Sequence, residues 1–361
     1  MKFTSLPVNV GDSFLLTTND KVILVDGGKN KKHILTLLQQ ENIPDNHIDL
    51  LVCSHYDADH INGIIGILKS QKYSFDEIWL PEILGSIGYT LSKRIGNLFN
   101  DIRENRLDIH DILMANGSIF EKYESKEIEG VSNNKSFEQI DSRMLEEFIN
   151  GRIYGFPEYT LRTNRYSRTP SFKITSTAKS IANLISYSLN SKAYIRWFKY
   201  KEPCIPKTYG FDMFCQNAVQ TDISLFDDTL LLMALYTIAL SKINKYGLVF
   251  MHKKDQYPNI LFTGDSDLSF YKNVHVRLNN HSIITAPHHG SDTNDLAYSK
   301  IRGNDLIYVR SDQRQITRPG RGYTSNKMRY CTICRNITPK QKVELTFNGI
   351  KFITNAKACV C

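Results

Sequence analysis

The sequence predicts an α/β fold, and three observations predict it. Over the first eighty residues, short apolar runs alternate with segments whose apolar residues recur at helical spacing. Strand-like runs resume late in the chain, at Thr229–Leu235, Leu248–Phe250, Ile260–Thr263, Ile283–Ala286 and Leu306–Val309. Three runs end in residues with metal-ligand chemistry. Leu50–Cys53 leads into Ser54-His55-Tyr56-Asp57-Ala58-Asp59-His60, Ile260–Thr263 into Gly264-Asp265, and Ile283–Ala286 into Pro287-His288-His289-Gly290-Ser291. Four of the ten histidines fall in the first and last of these strings. Carboxylates and imidazoles crowded at the end of a buried strand are costly unless a cation neutralises them, so the pattern points to a metal-dependent, two-metal hydrolase.

The elements follow in order. Phe14–Leu16 and Val22–Val25 flank the turn residues Asn19-Asp20, a hairpin signal, and Asp26-Gly27-Gly28 then breaks the strand. Ile34, Leu37 and Leu38 are spaced as one helical face, and Leu50–Cys53 reads as a buried strand. Ile61, Ile64, Ile65 and Leu68 form the next helical face, so the first ligand string occupies a strand-to-helix loop. There, backbone amides and side chains can converge on an ion. Glu77–Leu80 is the next strand. From about Gly85 to Leu225 the periodicity weakens: Gly117–Ser142 is polar and acidic, and residues 151–207 are basic and aromatic. The expected organisation is one hydrolase domain from residues 1–85 and 225–361, with residues 86–224 as a basic, aromatic-rich insertion. Val343–Thr354 is a hairpin with Asn348-Gly349 at its turn.

Composition narrows the class. The longest apolar run, Thr229–Leu240, falls well short of the roughly 20 residues that cross a bilayer, so no membrane insertion is expected. Residues Met1–Gly11 lack the apolar core of a secretion signal, and an odd count of seven cysteines suits a reducing compartment. The expectation is a cytoplasmic protein. The net charge of +8 is uneven: residues 151–207 hold eleven Lys/Arg against two acids, and residues 301–361 hold twelve against three. Such regions attract a polyanion such as nucleic acid, or serve as a solvated surface; composition leaves both open.

Alternate residues of an extended segment point the same way, so His55 and Asp57 can reach one metal while Asp59 and His60 turn towards a second. Val10-Gly11-Asp12-Ser13, Asp26-Gly27-Gly28, the string from His55 to Gly63, Thr263-Gly264-Asp265 and Pro287 to Ser291 together resemble metallo-β-lactamase-fold hydrolases. The pattern is closest to the soluble hydrolase domain of the ComEC DNA-uptake family. The resemblance implies an αβ/βα sandwich with two divalent metal ions, Zn²⁺ or Mn²⁺, at one edge. It implies that His55 and Asp57 hold the first metal, Asp59 and His60 the second, and that Asp265 bridges them. His288 or His289 completes a shell, His288 being favoured as the first residue past the strand. Water between the metals then attacks as hydroxide, and Asp59 orients it. Asp57 stands where many members have histidine, and an acidic ligand makes Mn²⁺ or Mg²⁺ fit beside Zn²⁺. The separate histidine that many members supply has His110, His252, His275 and His281 as candidates.

The resemblance implies a phosphodiesterase or nuclease acting on nucleic acid or a nucleotide, with protein partners in a multi-component bacterial system. The alternatives are hydrolysis of another ester or lactone, such as a phosphocholine ester, and a binding module with a vestigial metal site. Two further features stand apart from it. Cys331, Cys334, Cys359 and Cys361 bracket the terminal hairpin as a candidate structural zinc site, and Arg318 and Arg321 lie in a basic turn suited to phosphate contact.

Overall fold

A computed structural model describes residues 1–85, 170–223, 247–312, 318–334 and 340–361. The expected strand at Thr229–Leu235, the acidic stretch Gly117–Ser142 and His110 lie outside these residues. The first strands are β1 (Lys2–Ser5), β2 (Phe14–Thr17), β3 (Val22–Val25), β4 (His47–Val52), β5 (Ser74–Pro81) and β6 (Tyr194–Tyr200). Next come β7 (Lys207–Thr208), β8 (Met213–Cys215), β9 (Ala218–Thr221), β10 (Phe250–His252), β11 (Ile260–Phe262) and β12 (Val276–Arg277). The last are β13 (Ile283–Thr285), β14 (Ile301–Arg302), β15 (Ile307–Arg310), β16 (Met328–Cys331), β17 (Val343–Phe347) and β18 (Phe352–Ile353). The helices are α1 (His33–Gln39), α2 (Ala58–Ser70), α3 (Pro170–Asn190), α4 (Asp295–Ser299) and α5 (Arg321–Thr324).

Among the described residues the strands form a nine-stranded sheet, in the order β18-β17-β1-β2-β3-β4-β5-β6-β9, and a seven-stranded sheet, β16-β15-β13-β11-β10-β8-β7. A small β12–β14 pair is separate. The two-residue period of a strand explains the layering. Phe14, Leu16, Ile23, Val25, Leu50 and Val52 point into the core shared with the second sheet. Their neighbours Leu15, Leu24, Leu51 and Cys53 point into a second core, with Ile34 and Leu37 of α1 and Ile61, Ile64 and Ile65 of α2. In the other sheet Phe250, Phe262, Ile283 and Ile307 face inward. Leu261, Ile284 and Tyr308 face an outer layer containing Ala297 of α4 and Tyr323 of α5. The result is an αβ/βα sandwich. Strands buried on both faces read as unbroken apolar runs, as Val22-Ile23-Leu24-Val25 does.

The insertion is the main correction. Residues 194–221, which the sequence reading assigns to it, supply strands to both sheets: β6 pairs parallel to β5, β9 antiparallel to β6, and β8 antiparallel to β10. The mixed string Tyr194-Ile-Arg-Trp-Phe-Lys-Tyr200 hides a strand because its central charge is satisfied across the sheet. Arg196 reaches Glu77 on β5 at 2.9 Å and Gln220 on β9 at 2.6 Å. Trp197 and Phe198 are buried in the two cores. Among the described residues no helix is long and apolar enough to cross a membrane.

Two glycines set the approach of α2 to the loop after β3. The Gly27 N–H donates to the His60 carbonyl and the Gly63 N–H to the Gly28 carbonyl. A Cβ at Gly63 would lie 1.7 Å from the Gly27 carbonyl oxygen, a backbone atom that cannot rotate away. Gly63→Ala is therefore expected to destabilise the fold by roughly 3 kcal/mol, at the upper end for core overpacking. Urea denaturation reads this as a lowered midpoint, and an unchanged midpoint would show that α2 moves freely.

Candidate metal centre

The carboxyl ends of strands in an open sheet leave a crevice for ligands. Here the parallel pair β3–β4 and the parallel set β11, β13, β15 deliver their ends to one place. From β3 comes Asp26, held at φ +57°. Its Oδ1 accepts from the Ser54 N–H at 2.8 Å, and its Oδ2 accepts from Ser54 Oγ at 2.7 Å and His60 Nδ1 at 2.8 Å. Since Ser54 Oγ spends its proton on Asp26, it accepts from His55 Nδ1 at 2.9 Å. His289 Nδ1 donates to Asp12 Oδ1 at 3.0 Å, and Ser311 Oγ donates to that same oxygen at 2.7 Å. Each of these three imidazoles donates through Nδ1 to its partner, which turns Nε2 towards the crevice. This is the outer-shell pattern that orients histidine for a metal.

Asp265 stands where those Nε2 atoms meet. Its Oδ1 lies 3.3 Å from His60 Nε2 and 3.3 Å from His289 Nε2. Its Oδ2 lies 3.6 Å from His55 Nε2 and 3.5 Å from His288 Nε2. Asp57 Oδ2 is 3.8 Å from His55 Nε2, and Asp59 Oδ2 is 3.6 Å from His289 Nε2. Asp57 is the N-cap residue of α2, yet its side chain makes no capping bond, the usual use of an acid there. His288 and His289 both hold positive φ, +47° and +53°. Such strain in non-glycine residues persists only where surrounding structure enforces it, and it clusters at functional sites.

The electrostatics follow from burial and crowding. Burial alone would raise the Asp265 carboxyl, but His289, His60, His288 and His55 hold it well below the usual range. Burial would lower His289, and Asp12 and Asp265 instead push it up to about 9. His60 behaves alike: burial works against its charge, and Asp265 and Asp26 raise it well above the ordinary value. His288 differs. Burial lowers it, the Arg318 cation adds to this, and Asp265 only partly offsets them. Its Nδ1 donates to Asn294 Oδ1 at 3.2 Å, and its Nε2 accepts from Arg318 Nη2 at 2.9 Å. Arg318 Nη1 in turn donates to Asp312 Oδ2 at 3.1 Å.

The residues fit divalent metals. His55 Nε2 and Asp265 Oδ1 are buried without a hydrogen-bond partner, and His60 Nε2 faces His289 Nε2 at 3.3 Å. Two lone pairs at that separation repel unless a proton or cation lies between them. Donor atoms of His55, Asp57 and Asp265 lie within 4.8 Å of one another, and so do those of Asp12, His60, Asp265 and His289. The two sets share Asp265.

Of the residues singled out in the sequence, the structure brings together His55, Asp57, Asp59, His60, Asp265, His288, His289 and Arg318. Both late histidines reach Asp265: His289 is fully buried with Nε2 3.3 Å from Oδ1, and His288 Nε2 lies 3.5 Å from Oδ2 while accepting from Arg318. Arg321 is exposed at the start of α5 and is tied to Asp292 through its backbone N–H. No separate histidine joins the first set among the described residues. His252 sits in β10 opposite Ile260, at the end of β11 away from Asp265, and His281 and His275 lie beside Asn304 and Arg302. Sequence reasoning gave no role to Asp12, Asp26 or Ser311. Gly11-Asp12 carries the same glycine-acid signal that singled out Gly264-Asp265. A Cβ at Gly11 would lie 1.8 Å from the Asp59 carbonyl oxygen, so the glycine lets the Asp12 loop close on the crevice.

Residues 6–81, which carry Asp12, Asp26 and the His55-to-His60 string, match the metallo-beta-lactamase superfamily. Over this stretch the chain is similar to metallo-β-lactamase superfamily domains. Two curated relatives, exodeoxyribonuclease WalJ of Streptococcus pneumoniae serotype 2 (strain D39 / NCTC 7466) and of strain ATCC BAA-255 / R6, are each 39% identical over 66 residues. That stretch is 18% of this chain and 24% of theirs, so the chain spans about a quarter of the length of these relatives. Among solved structures, the metallo-beta-lactamase fold protein YhfI from Bacillus subtilis is 12% identical at a TM-score of 0.35, covering 95% of this chain and 99% of that one. AidC, a dizinc quorum-quenching lactonase, is 12% identical at a TM-score of 0.36, covering 97% and 80%. The family match, at residues 6–81, lies on the strands that build the first half of the crevice.

Proposed function

We propose that this metallo-β-lactamase domain is a metal-dependent phosphodiesterase acting on nucleic acid. One observation carries the reading: Asp265 offers one carboxylate oxygen to each of two donor sets, beside a guanidinium anchored by its own acid. In this reading His55, Asp57 and Asp265 hold one divalent ion, and His60, His289, Asp59 and Asp265 the other. Zn²⁺ and Mn²⁺ both suit a set of mixed imidazole and carboxylate donors. Two such ions supply Lewis acidity and make water acidic enough to act near neutral pH. Asp12, Asp26 and Ser54 hold the imidazoles in their ligating tautomer. Asp59, part-exposed at the crevice, orients the attacking water. Arg318, steadied by Asp312, meets a non-bridging phosphate oxygen, an anionic acceptor that the planar guanidinium fork serves well.

Nucleic acid as substrate draws support from the WalJ relatives, which are named as exodeoxyribonucleases, and from the net charge of +8. The basic regions 151–207 and 301–361 supply the sequence-independent electrostatic term of such binding. The test is a panel of one chromogenic phosphodiester, one phosphomonoester and one lactone, each offered with Mn²⁺, Mg²⁺ or Zn²⁺. Turnover of the diester is expected, and turnover of the lactone alone would transfer the site to another ester chemistry. Arg318→Ala is expected to lower kcat/KM on the diester by about 100-fold, the cost of losing one charge-stabilising donor. An Arg318→Ala enzyme as fast as the wild type would remove the guanidinium from the reaction.

A further inference from the structure

Away from that crevice, the outer face of the seven-stranded sheet carries a second cluster. Cys331 ends β16, Cys334 follows, and Cys359 and Cys361 return alongside. The returning segment is fastened: the Cys359 N–H donates to the Arg329 carbonyl, and Gln341 Nε2 bridges the carbonyls of Cys331 and Lys357. All four Sγ atoms lie within 4.8 Å of one another, with Cys331–Cys359 at 3.0 Å, Cys334–Cys361 at 2.8 Å and Cys334–Cys359 at 3.5 Å. These separations fall between a disulfide bond, about 2.05 Å, and the roughly 3.8 Å edge of a zinc tetrathiolate with Zn–S near 2.3 Å. Cys334 is close to both Cys359 and Cys361, which describes one four-cornered group rather than two isolated pairs.

Two N–H groups face the sulfurs: the Cys361 N–H donates to Cys359 Sγ at 3.4 Å, and Arg310 Nη1 donates to Cys331 Sγ at 3.9 Å. Tyr323 Oη, which donates to the Tyr330 carbonyl at 2.8 Å, also lies 3.4 Å from Cys331 Sγ. Arg310 is fully buried, and its Nε donates to the His289 carbonyl at 2.7 Å. A backbone N–H and a buried cation aimed at sulfur suit thiolates, which carry charge, better than they suit thiols or disulfides. Four thiolates around one Zn²⁺ leave a net charge of −2, and Arg310 offsets part of it.

We propose that Cys331, Cys334, Cys359 and Cys361 bind one zinc ion as a closed tetrathiolate site that clamps the segment around Cys359 to β16. A closed set of four protein ligands leaves no open position, so the site is structural. It is chemically distinct from the Asp265 crevice and does not depend on the reaction proposed there.

The experiment counts metal in the full chain, purified under reducing conditions with zinc supplied, in an Asp265→Asn background that disables the other centre. One zinc per chain is expected, falling to none when Cys334→Ser and Cys361→Ser are added. If the added substitutions prevent folding, cobalt is loaded into the Asp265→Asn chain instead. Thiolate-to-cobalt charge transfer with tetrahedral d–d bands is then expected. A chain without zinc and without those bands would overturn the site, as would one lighter by the hydrogens lost to two disulfides. Failure of the phosphodiester assay leaves this zinc count unchanged, so the two readings fail separately.

Discussion

Asp265→Asn is expected to lower metal-dependent hydrolysis by about 10³-fold or more while leaving the fold intact. The substitution is isosteric and keeps an oxygen, so packing is preserved. It removes the single carboxylate that faces His55 and His288 with one oxygen and His60 and His289 with the other. Both proposed metal positions lose an anionic ligand at once, together with the charge stabilisation that metals give the developing transition state. Turnover of the chromogenic diester under saturating Mn²⁺ measures the loss, and circular dichroism checks the fold. Activity of the Asp265→Asn chain within tenfold of wild type would mean that Asp265 does not bridge two ions.

The second large effect is expected at a residue that touches no metal in this account. Asp26 accepts from the Ser54 N–H, Ser54 Oγ and His60 Nδ1, so one carboxylate orients two imidazoles, His60 directly and His55 through Ser54. Asp26→Asn suits the backbone, since asparagine tolerates the left-handed conformation found there. Its amide cannot accept all three bonds. Outer-shell substitutions of this kind cost about 10–100-fold in metal affinity or activity, and that range is expected here. The buried groups left unpaired add roughly 1–3 kcal/mol of lost stability. Competition with a metal chelator measures the affinity. Wild-type affinity in the Asp26→Asn chain would show that His60 is held in place by packing alone.

Much of this architecture is legible in the sequence, and the reasons are local. Val22–Val25 and Leu50–Val52 are buried on both faces, and burial on both faces writes an unbroken apolar run into the sequence. Asn348-Gly349 marks its hairpin because the turn requires positive φ, which Gly349 supplies at +97°. The strand β6 was opaque for the opposite reason. Its Arg196 is neutralised by Glu77, more than a hundred residues earlier, and donates to the Gln220 amide oxygen, and no short window of sequence reveals such partners.

The centre divides along the same line. Ligand-type side chains at strand ends stand out by chemical type, and this singles out His55, Asp57, Asp59, His60, Asp265 and the His288-His289 pair as candidates. That both of the last two reach Asp265 goes with two successive left-handed residues, and the engagement of His288 by Arg318 is not encoded by spacing. Asp12 accepts from His289 and from Ser311, both far away in the chain, so only the folded sheets bring these roles into view.

The most direct measurement is cleavage of end-labelled single- and double-stranded DNA and RNA by the wild-type chain and the Asp265→Asn chain. Each is assayed with Mn²⁺, Mg²⁺ or Zn²⁺ and with chelator. Cleavage by the wild type that requires metal and vanishes in the Asp265→Asn chain is the predicted result. Intact substrate in every lane, or cleavage that survives the Asp265→Asn substitution, would contradict the assignment of this centre to phosphodiester hydrolysis on nucleic acid.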